Sequence, residues 1–131
     1  MKTALLVTPD DERRARLRRA LAGYSVFVAA SDAEALKTLR LVDIELVVRD
    51  RVGPPGALRG FITAVRETAG SAVTIAIGPD EDDLDAADFT IPEGFTERDL
   101  EAACRHAAER QRLLTELALL RAQGASAPAR V

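Results

Sequence analysis

Five short apolar segments, separated by stretches with helical spacing of leucine and alanine, predict an α/β protein. The segments lie at residues 3–7, 25–29, 44–48, 73–77 and 89–91. They are largely continuous in apolar character rather than alternating, which is typical of strands buried on both faces. Parallel strands need crossover connections, and the helical stretches supply them. The expected architecture is therefore one five-stranded parallel sheet with helices on both faces.

Helix-capping side chains open the first two helical stretches. Asp10 or Asp11 is expected to cap a helix that runs to Ala22, with leucines spaced along one face. Ser31 is followed three residues later by Glu34, and this pair forms a capping box at the start of the second helix. Both helices thus have a defined first turn.

The later helices follow a loop and another capping box. The loop at 52–56 contains two prolines and two glycines, which exclude regular structure, and a helix is predicted at 57–68. Thr96 and Asp99 form the second capping box. From there the helical pattern continues without glycine or proline to Gln123, which predicts an extended last helix.

The connection between the fourth and fifth strands is short and acidic. Only residues 79–88 are available, and Leu84 is their one large apolar side chain, so a full helix has little surface to bury. The segment predicts a solvated loop or a single helical turn, so that the fourth crossover helix is shortened or missing. An acidic docking patch for a basic partner is the alternative. Its acidic residues are Asp80, Glu81, Asp82, Asp83, Asp85 and Asp88.

Composition limits the classes of function. The chain has 131 residues, a formal net charge of −3 and a pI near 5.2, which fits one domain with a short appendage and argues against nucleic acid as the main partner. Arginines cluster in the first helix, where a solvated helix face is the simpler explanation. They are Arg13, Arg14, Arg16, Arg18 and Arg19.

Single copies of cysteine and histidine exclude further classes. Cys104 has no partner for an intrachain disulfide or a thiolate zinc cluster, and His106 is expected to be a surface imidazole. The apolar run at residues 4–7 is too short for a signal peptide or a membrane span, so the protein is predicted to be cytoplasmic, without membrane contact.

Function is expected at the carboxyl ends of the strands, where parallel sheets place their ligand and reaction sites. The residues there are Thr8, Pro9 and Asp10, then Arg49 and Asp50, then Gly78 and Pro79, and finally Pro92 and Glu93. They include no nucleophile with a neighbouring base, and no glycine-rich phosphate loop follows the first strand. The sequence therefore predicts no catalytic residue, no cofactor and no enzyme activity.

The ordered set of features resembles the receiver domain of bacterial response regulators over residues 2–114. The resemblance implies a CheY-like, flavodoxin-like, doubly wound (βα)5 fold and a role in two-component signal transduction. Asp50, at the end of the third strand, matches the phosphoacceptor aspartate of the family, and Pro54 matches its loop proline. Strand alternation points Arg49, the preceding residue, to the other face of the sheet.

Other positions depart from the family pattern. The acidic pair that binds Mg²⁺ in the family falls here on Thr8 and Pro9, neither of which carries a carboxylate. The hydroxyl position is Gly78, and the lysine position falls at Pro92, beside Glu93. These departures predict a noncatalytic pseudo-receiver that acts through protein–protein interaction and lacks the usual Mg²⁺-dependent phosphorylation.

The alternative is a phosphoaccepting receiver with an unusual metal site. In it, Asp10 and Asp11 would be shifted into the place of the acidic pair and would bind Mg²⁺ together with Asp50. Helix capping accounts for the two neighbouring aspartates more simply.

The last helix carries leucines that the receiver domain does not need. Residues 1–112 are assigned to that domain, 113–123 to a helical extension and 124–131 to a flexible tail or linker. The extension is predicted to contact a protein partner or a second copy, or to begin a coiled coil leading to an effector or kinase domain. Folding back onto its own domain is the alternative. The leucines are Leu113, Leu114, Leu117 and Leu120.

Overall fold

The computed structural model describes residues 2–51, 54 and 56–126, without the side chains of 124–126. It contains one sheet of parallel strands in the order β2-β1-β3-β4-β5. The predicted sheet is confirmed. The strands are β1 (Lys2–Val7), β2 (Tyr24–Ala29), β3 (Leu46–Arg49), β4 (Val73–Ile77) and β5 (Phe89–Ile91).

The third strand lies slightly further along the chain than the prediction of 44–48. In the ladder between β1 and β3, Ala4 pairs with Leu46 and Val7 pairs with Arg49. Ile44 is buried but precedes the strand. The shift carries Arg49 into β3 and leaves Asp50 as the first residue beyond it.

Four helices connect and follow the strands, and the predicted caps are present. They are α1 (Asp11–Ala20), α2 (Asp32–Leu41), α3 (Ala57–Thr68) and α4 (Glu97–Ser126). Asp10 is the cap of α1, and Ser31 Oγ accepts a hydrogen bond from the Glu34 amide in α2. Thr96 and Asp99 exchange side-chain and backbone hydrogen bonds as a capping box. The end of α1 falls before the predicted Ala22, because the chain already turns at Leu21, whose amide bonds to the Arg18 carbonyl.

Two apolar layers cover the sheet. One lies between the sheet and the helices α1 and α4, and the other lies between the sheet and α2 and α3. Alternate residues of β3 divide between them, since Val48 belongs to the first layer and Val47 to the second. This two-sided burial explains the continuous apolar strands.

The connection at 79–88 forms no α-helix, as predicted. Glu81–Asp83 is a single 3-10 turn, and Leu84 is 53% exposed. The acidic side chains of this segment are largely engaged by the domain itself. Arg59 on α3 binds Asp85 at 2.7 Å, and the Asp88 carboxylate accepts hydrogen bonds from the amide and hydroxyl of Thr74. Internal pairing therefore reduces the charge that the segment offers to a basic partner.

Helix α4 extends beyond the sheet. It continues through Gly124 to Ser126, three residues past the predicted end at Gln123, because one glycine weakens a helix by only about 1 kcal/mol. The remainder of the predicted tail, 127–131, lies outside the described residues. None of the helices in the described ranges is long and apolar enough to cross a membrane.

The leucines of the extension do not fold back onto the domain. The side chains of Leu113, Leu114, Leu117 and Leu120 are 50, 43, 42 and 63% exposed. Residues nearer the start of α4, including Leu100 and Ala107, are buried against the sheet as expected. The fold-back alternative is therefore wrong for this structure. Ala86 and Ala87 of the segment at 79–88 are buried in the layer that includes α2 and α3.

Cys104 gives a direct test of burial on the inner face of α4. It is 7% exposed, and burial, together with the charge of Glu101, raises the pKa of its thiol to about 11. Because only the thiolate reacts, we expect a thiol reagent at neutral pH to label the native protein far more slowly than the urea-unfolded chain. Intact mass against time measures this, and equal rates in the two states would contradict it.

The raised pKa of the Cys104 thiol also affects stability. Because the unfolded chain loses this proton at a lower pH than the folded protein does, the free energy of unfolding falls as the pH rises toward 11.

Candidate functional site

Asp50 lies at the carboxyl edge of the sheet, directly after β3. Its amide donates a hydrogen bond to the Val7 carbonyl at 2.8 Å, which fixes the backbone beside the end of β1. The residue is only 2% exposed. A carboxylate so deeply buried needs partners for both oxygens.

Four hydrogen bonds satisfy the Asp50 carboxylate. Arg13 binds it with both arms of its guanidinium, Nε to Oδ2 at 2.6 Å and Nη2 to Oδ1 at 2.7 Å. The Thr8 hydroxyl donates to Oδ2 at 3.0 Å, and the Arg51 amide donates to Oδ1 at 2.8 Å. Each oxygen thus accepts two hydrogen bonds. Bidentate arginine–carboxylate pairs of this kind are among the stronger and more directional contacts in proteins.

Arg13 is a site residue that the sequence does not predict. The predicted solvated helix face is wrong for Arg13, because its side chain is only 26% exposed. Its hydrogen bonds to Asp50 raise the pKa of the guanidinium, and its charge lies 5.6 Å from the centre of the Phe95 ring. One signal was available in the sequence: a helix capped by Asp10 has its first turn at the carboxyl edge of the sheet, within reach of Asp50.

Thr8 and Asp10 have structural partners of their own. Thr8 is fully buried, and its hydroxyl oxygen also accepts a hydrogen bond from the Asp10 amide at 3.3 Å. The Asp10 carboxylate accepts hydrogen bonds from the amides of Glu12 and Arg13 as the cap of α1. The side chain of Asp11 is 88% exposed and pairs with Arg14.

The residues at this edge do not fit a magnesium ion. Mg²⁺ favours several oxygen ligands in octahedral order. Here Thr8 and Pro9 follow β1 and carry no carboxylate, and a guanidinium lies against the Asp50 carboxylate. Within the described residues, no group of three His, Cys, Asp or Glu side chains is placed to hold a metal. Asp10 accepts both capping hydrogen bonds through Oδ1.

Gly78, directly after β4, has a backbone conformation that disfavours any residue with a side chain. Its φ is +60°, and a Cβ atom added there would lie 3.1 Å from the Cβ of Glu93. Its amide donates to the Ile91 carbonyl at 2.8 Å, which holds the end of β4 beside β5. A β-branched residue is strongly disfavoured in this conformation. Glycine at position 78 is therefore explained by the backbone conformation.

The end of β5 carries negative charge. Pro92 and Glu93 directly follow the strand. Arg51 contacts two carboxylates there, Glu93 at 3.1 Å and Asp80 at 3.2 Å. These carboxylates would repel a phosphoryl group, and the nearby arginine already has them as partners.

Arg49 points to the other face of the sheet, as predicted. Its guanidinium binds Asp32 at the start of α2, with both contacts at 2.9 Å, and lies 5.4 Å from the centre of the Phe61 ring. It is 6% exposed. Arg49 therefore stabilises the α2–α3 face rather than supplying charge beside Asp50.

Arginines on one face of α1 connect the Asp50 site to the start of α4. Arg16 donates from Nη2 to the Phe95 carbonyl at 2.6 Å, and its charge lies 4.6 Å from the centre of the Phe95 ring. One turn further along, Arg19 pairs with Glu97 at 3.1 Å. Phe95 is buried and contacts both Arg13 and Arg16. Helix α1 therefore contacts both Asp50 and the residues at the start of α4.

Comparison with known proteins supports the fold. No family model and no curated protein matches the chain. A CheY-like receiver domain protein from Methanospirillum hungatei is 20% identical, has a TM-score of 0.76, and the match covers 86% of this chain and 97% of that one. Adenylate cyclase from Rhodopirellula baltica is 21% identical, with a TM-score of 0.78 and coverage of 91% and 96%.

A longer protein shares the same fold over the full length of this chain. NtrX from Brucella abortus, solved in complex with ADP, is 18% identical with a TM-score of 0.80, and the match covers 100% of this chain and 32% of that one. These similarities show that the chain has the flavodoxin-like receiver fold of response regulators. Its own elements add a long C-terminal helix and a connection between β4 and β5 that contains a 3-10 turn and no α-helix.

Proposed function

We propose that this chain is a receiver-fold signalling module that works by binding other proteins and not by accepting a phosphoryl group. The observation that carries the proposal is the bidentate pairing of Arg13 with the buried Asp50 carboxylate. The similarity to response-regulator receivers supports a role in bacterial signal transduction, and the departures of this site support a noncatalytic one.

The contacts of Asp50 oppose its use as a nucleophile. Attack on a phosphoryl donor requires a free carboxylate oxygen and a cation that neutralises the incoming charge. Here both oxygens already accept two hydrogen bonds each. The cation beside Asp50 is Arg13, and its guanidinium is already hydrogen-bonded to the unphosphorylated carboxylate. Phosphoryl transfer would require breaking this ion pair without the stabilisation that Mg²⁺, a hydroxyl and a lysine would provide.

The test is exposure of the protein to a small-molecule phosphodonor, acetyl phosphate, with Mg²⁺, followed by intact mass. We expect no stable addition of a phosphoryl group. Asp50→Asn is the matched control because it keeps the shape of the side chain and removes the nucleophile. Addition to the unmodified chain that disappears in Asp50→Asn would overturn the proposal and would favour the alternative, in which Asp10 and Asp11 bind Mg²⁺ with Asp50.

The output surface is proposed to be the exposed extension of α4. Its leucines are available to a protein, and an effector or kinase domain joined to such a helix is one arrangement compatible with it. The match with NtrX, in which the similar region is 32% of a longer chain, supports this arrangement as a proposal. No enzymatic step is assigned to the domain itself.

A further inference from the structure

The extension of α4 exposes an apolar face that its own domain does not cover. We call Leu113, Leu114, Leu117 and Leu120 the leucine face. A helical residue advances by about 100°, so the centre of this face lies roughly a third of a turn around α4 from Leu100, which packs on the sheet. The helix therefore leaves the domain with these side chains directed into solvent.

We infer that the occupant of the leucine face is a second copy of this chain, bound in parallel as a short two-stranded coiled coil. Leu113, Leu117 and Leu120 are spaced four and three residues apart, which matches the d, a and d positions of a heptad repeat. Leu114 then occupies an e position beside the seam. A seam of leucines is self-complementary, so an identical helix fits it.

Charges beside the seam favour the parallel orientation. With this register, Glu116 occupies a g position and Arg121 the following e position. In a parallel pair, each Glu116 lies next to Arg121 of the other helix, an attractive g-to-e contact. In an antiparallel pair, g positions lie beside g positions and e positions beside e positions, so the contact between Glu116 and Arg121 is lost. Arg121 is exposed, and Glu116 is about half exposed.

The seam begins after the last residues on this side of α4 that contact their own domain. One heptad before Leu113 and Leu117, the same positions fall on His106 and Arg110. His106 lies near the Phe89 ring at 6.3 Å, and Arg110 pairs with Asp88 at 3.5 Å. These residues already contact their own domain. Pairing is therefore confined to residues from Leu113 onward, with the two domains side by side at the same end.

The first experiment measures the mass of the full chain by sedimentation equilibrium over a concentration series. We expect a dimer that Leu113→Glu with Leu117→Glu converts to monomer, a twofold fall in mass. Leu41→Glu is the matched control, since Leu41 is 85% exposed at the end of α2 and should leave the dimer intact. A native chain that is monomeric at high concentration, or a dimer that survives the double substitution, would overturn the inference.

The second experiment determines polarity by disulfide formation. Leu120→Cys should form a linked dimer on mild oxidation, because position 120 meets its equivalent only in the parallel arrangement. Leu119→Cys, on the opposite side of the helix and 58% exposed, is the control and should not link. The native Cys104 is buried and adds little background. Preferential linking of Leu113→Cys to Leu120→Cys in a mixture would instead show antiparallel helices and refute the proposed orientation.

The third experiment exchanges the charges. Glu116→Arg alone and Arg121→Glu alone should each weaken the dimer by about two- to fivefold, the range for an exposed ion pair. The combination should recover affinity relative to Glu116→Arg. Glu116 also pairs with Arg112 of its own helix at 2.6 Å, so recovery in the combined variant is the result that isolates the contact between helices. If the two substitutions weaken the dimer additively, the proposed contact between Glu116 and Arg121 of the two helices is wrong. All three experiments are independent of Asp50, so their failure would leave the proposed absence of phosphoryl transfer unchanged.

Discussion

Replacing Arg13 with alanine is expected to lower the free energy of unfolding by about 2–4 kcal/mol, since it leaves the buried Asp50 carboxylate without its cation. Two hydrogen bonds and the ion pair between Arg13 and Asp50 are lost together. The range lies below that for a fully buried pair because the Arg13 side chain is 26% exposed and water can enter. Urea unfolding at neutral pH measures the change.

A double-mutant cycle separates the ion pair from the loss of packing. Asp50→Asn should cost less than Arg13→Ala, about 1–2 kcal/mol, because the partly exposed guanidinium can be hydrated. The two substitutions together should cost less than their sum, with a coupling of about 1–3 kcal/mol for residues in direct contact. Arg18→Ala, at an exposed position of the same helix, is the control and should be nearly neutral. A cost below about 0.5 kcal/mol for Arg13→Ala would show that the pair contributes little to stability.

Restoring a hydroxyl with Gly78→Thr is expected to destabilise the protein by about 2–3 kcal/mol. Two causes combine: the backbone has φ of +60°, and a new Cβ atom would lie 3.1 Å from the Cβ of Glu93. We expect no gain of phosphorylation in this variant, because Arg13 still occupies Asp50. Thermal and urea unfolding check the first expectation, and intact mass after treatment with a phosphodonor checks the second.

Gly60→Ala provides the comparison for Gly78→Thr. Gly60 lies within α3, has no heavy atom within 4 Å of an added Cβ and has an ordinary negative φ. Alanine there should raise the free energy of unfolding by about 0.5–1 kcal/mol, from helix propensity alone. If Gly78→Thr were as well tolerated as Gly60→Ala, the positive φ could not explain the missing hydroxyl.

Sequence patterns were sufficient for the fold because they report local periodicity. The strands at 73–77 and 89–91 and the helix at 57–68 have the predicted bounds. The predicted bounds of the third strand are wrong because tertiary pairing decides them. Strand β3 begins at Leu46, where its ladder with β1 starts. The short connection at 79–88 was also predictable, since its length and acidity leave no apolar face for a helix.

The candidate site was predictable only in part. The position of Asp50 at a strand end follows from the order of elements, and the lost positions at Thr8 and Gly78 follow from counting along the strands. The partner of Asp50 does not follow, because a long arginine side chain reaches across from another element and no sequence period records that reach. The positive φ of Gly78 likewise does not follow from the sequence, because glycine adopts positive and negative φ about equally readily.

The filled acceptor positions of Asp50 also bear on how the domain responds in time. A phosphorylated aspartate would retain a signal for as long as its acyl phosphate bond lasts. The Arg13–Asp50 ion pair is a noncovalent contact within the domain and stores no such signal. Under the proposed function, the output then follows the momentary concentrations of binding partners through mass action. Its response time is set by association and dissociation rates. The amount of protein in the cell, rather than a kinase, would govern the signal.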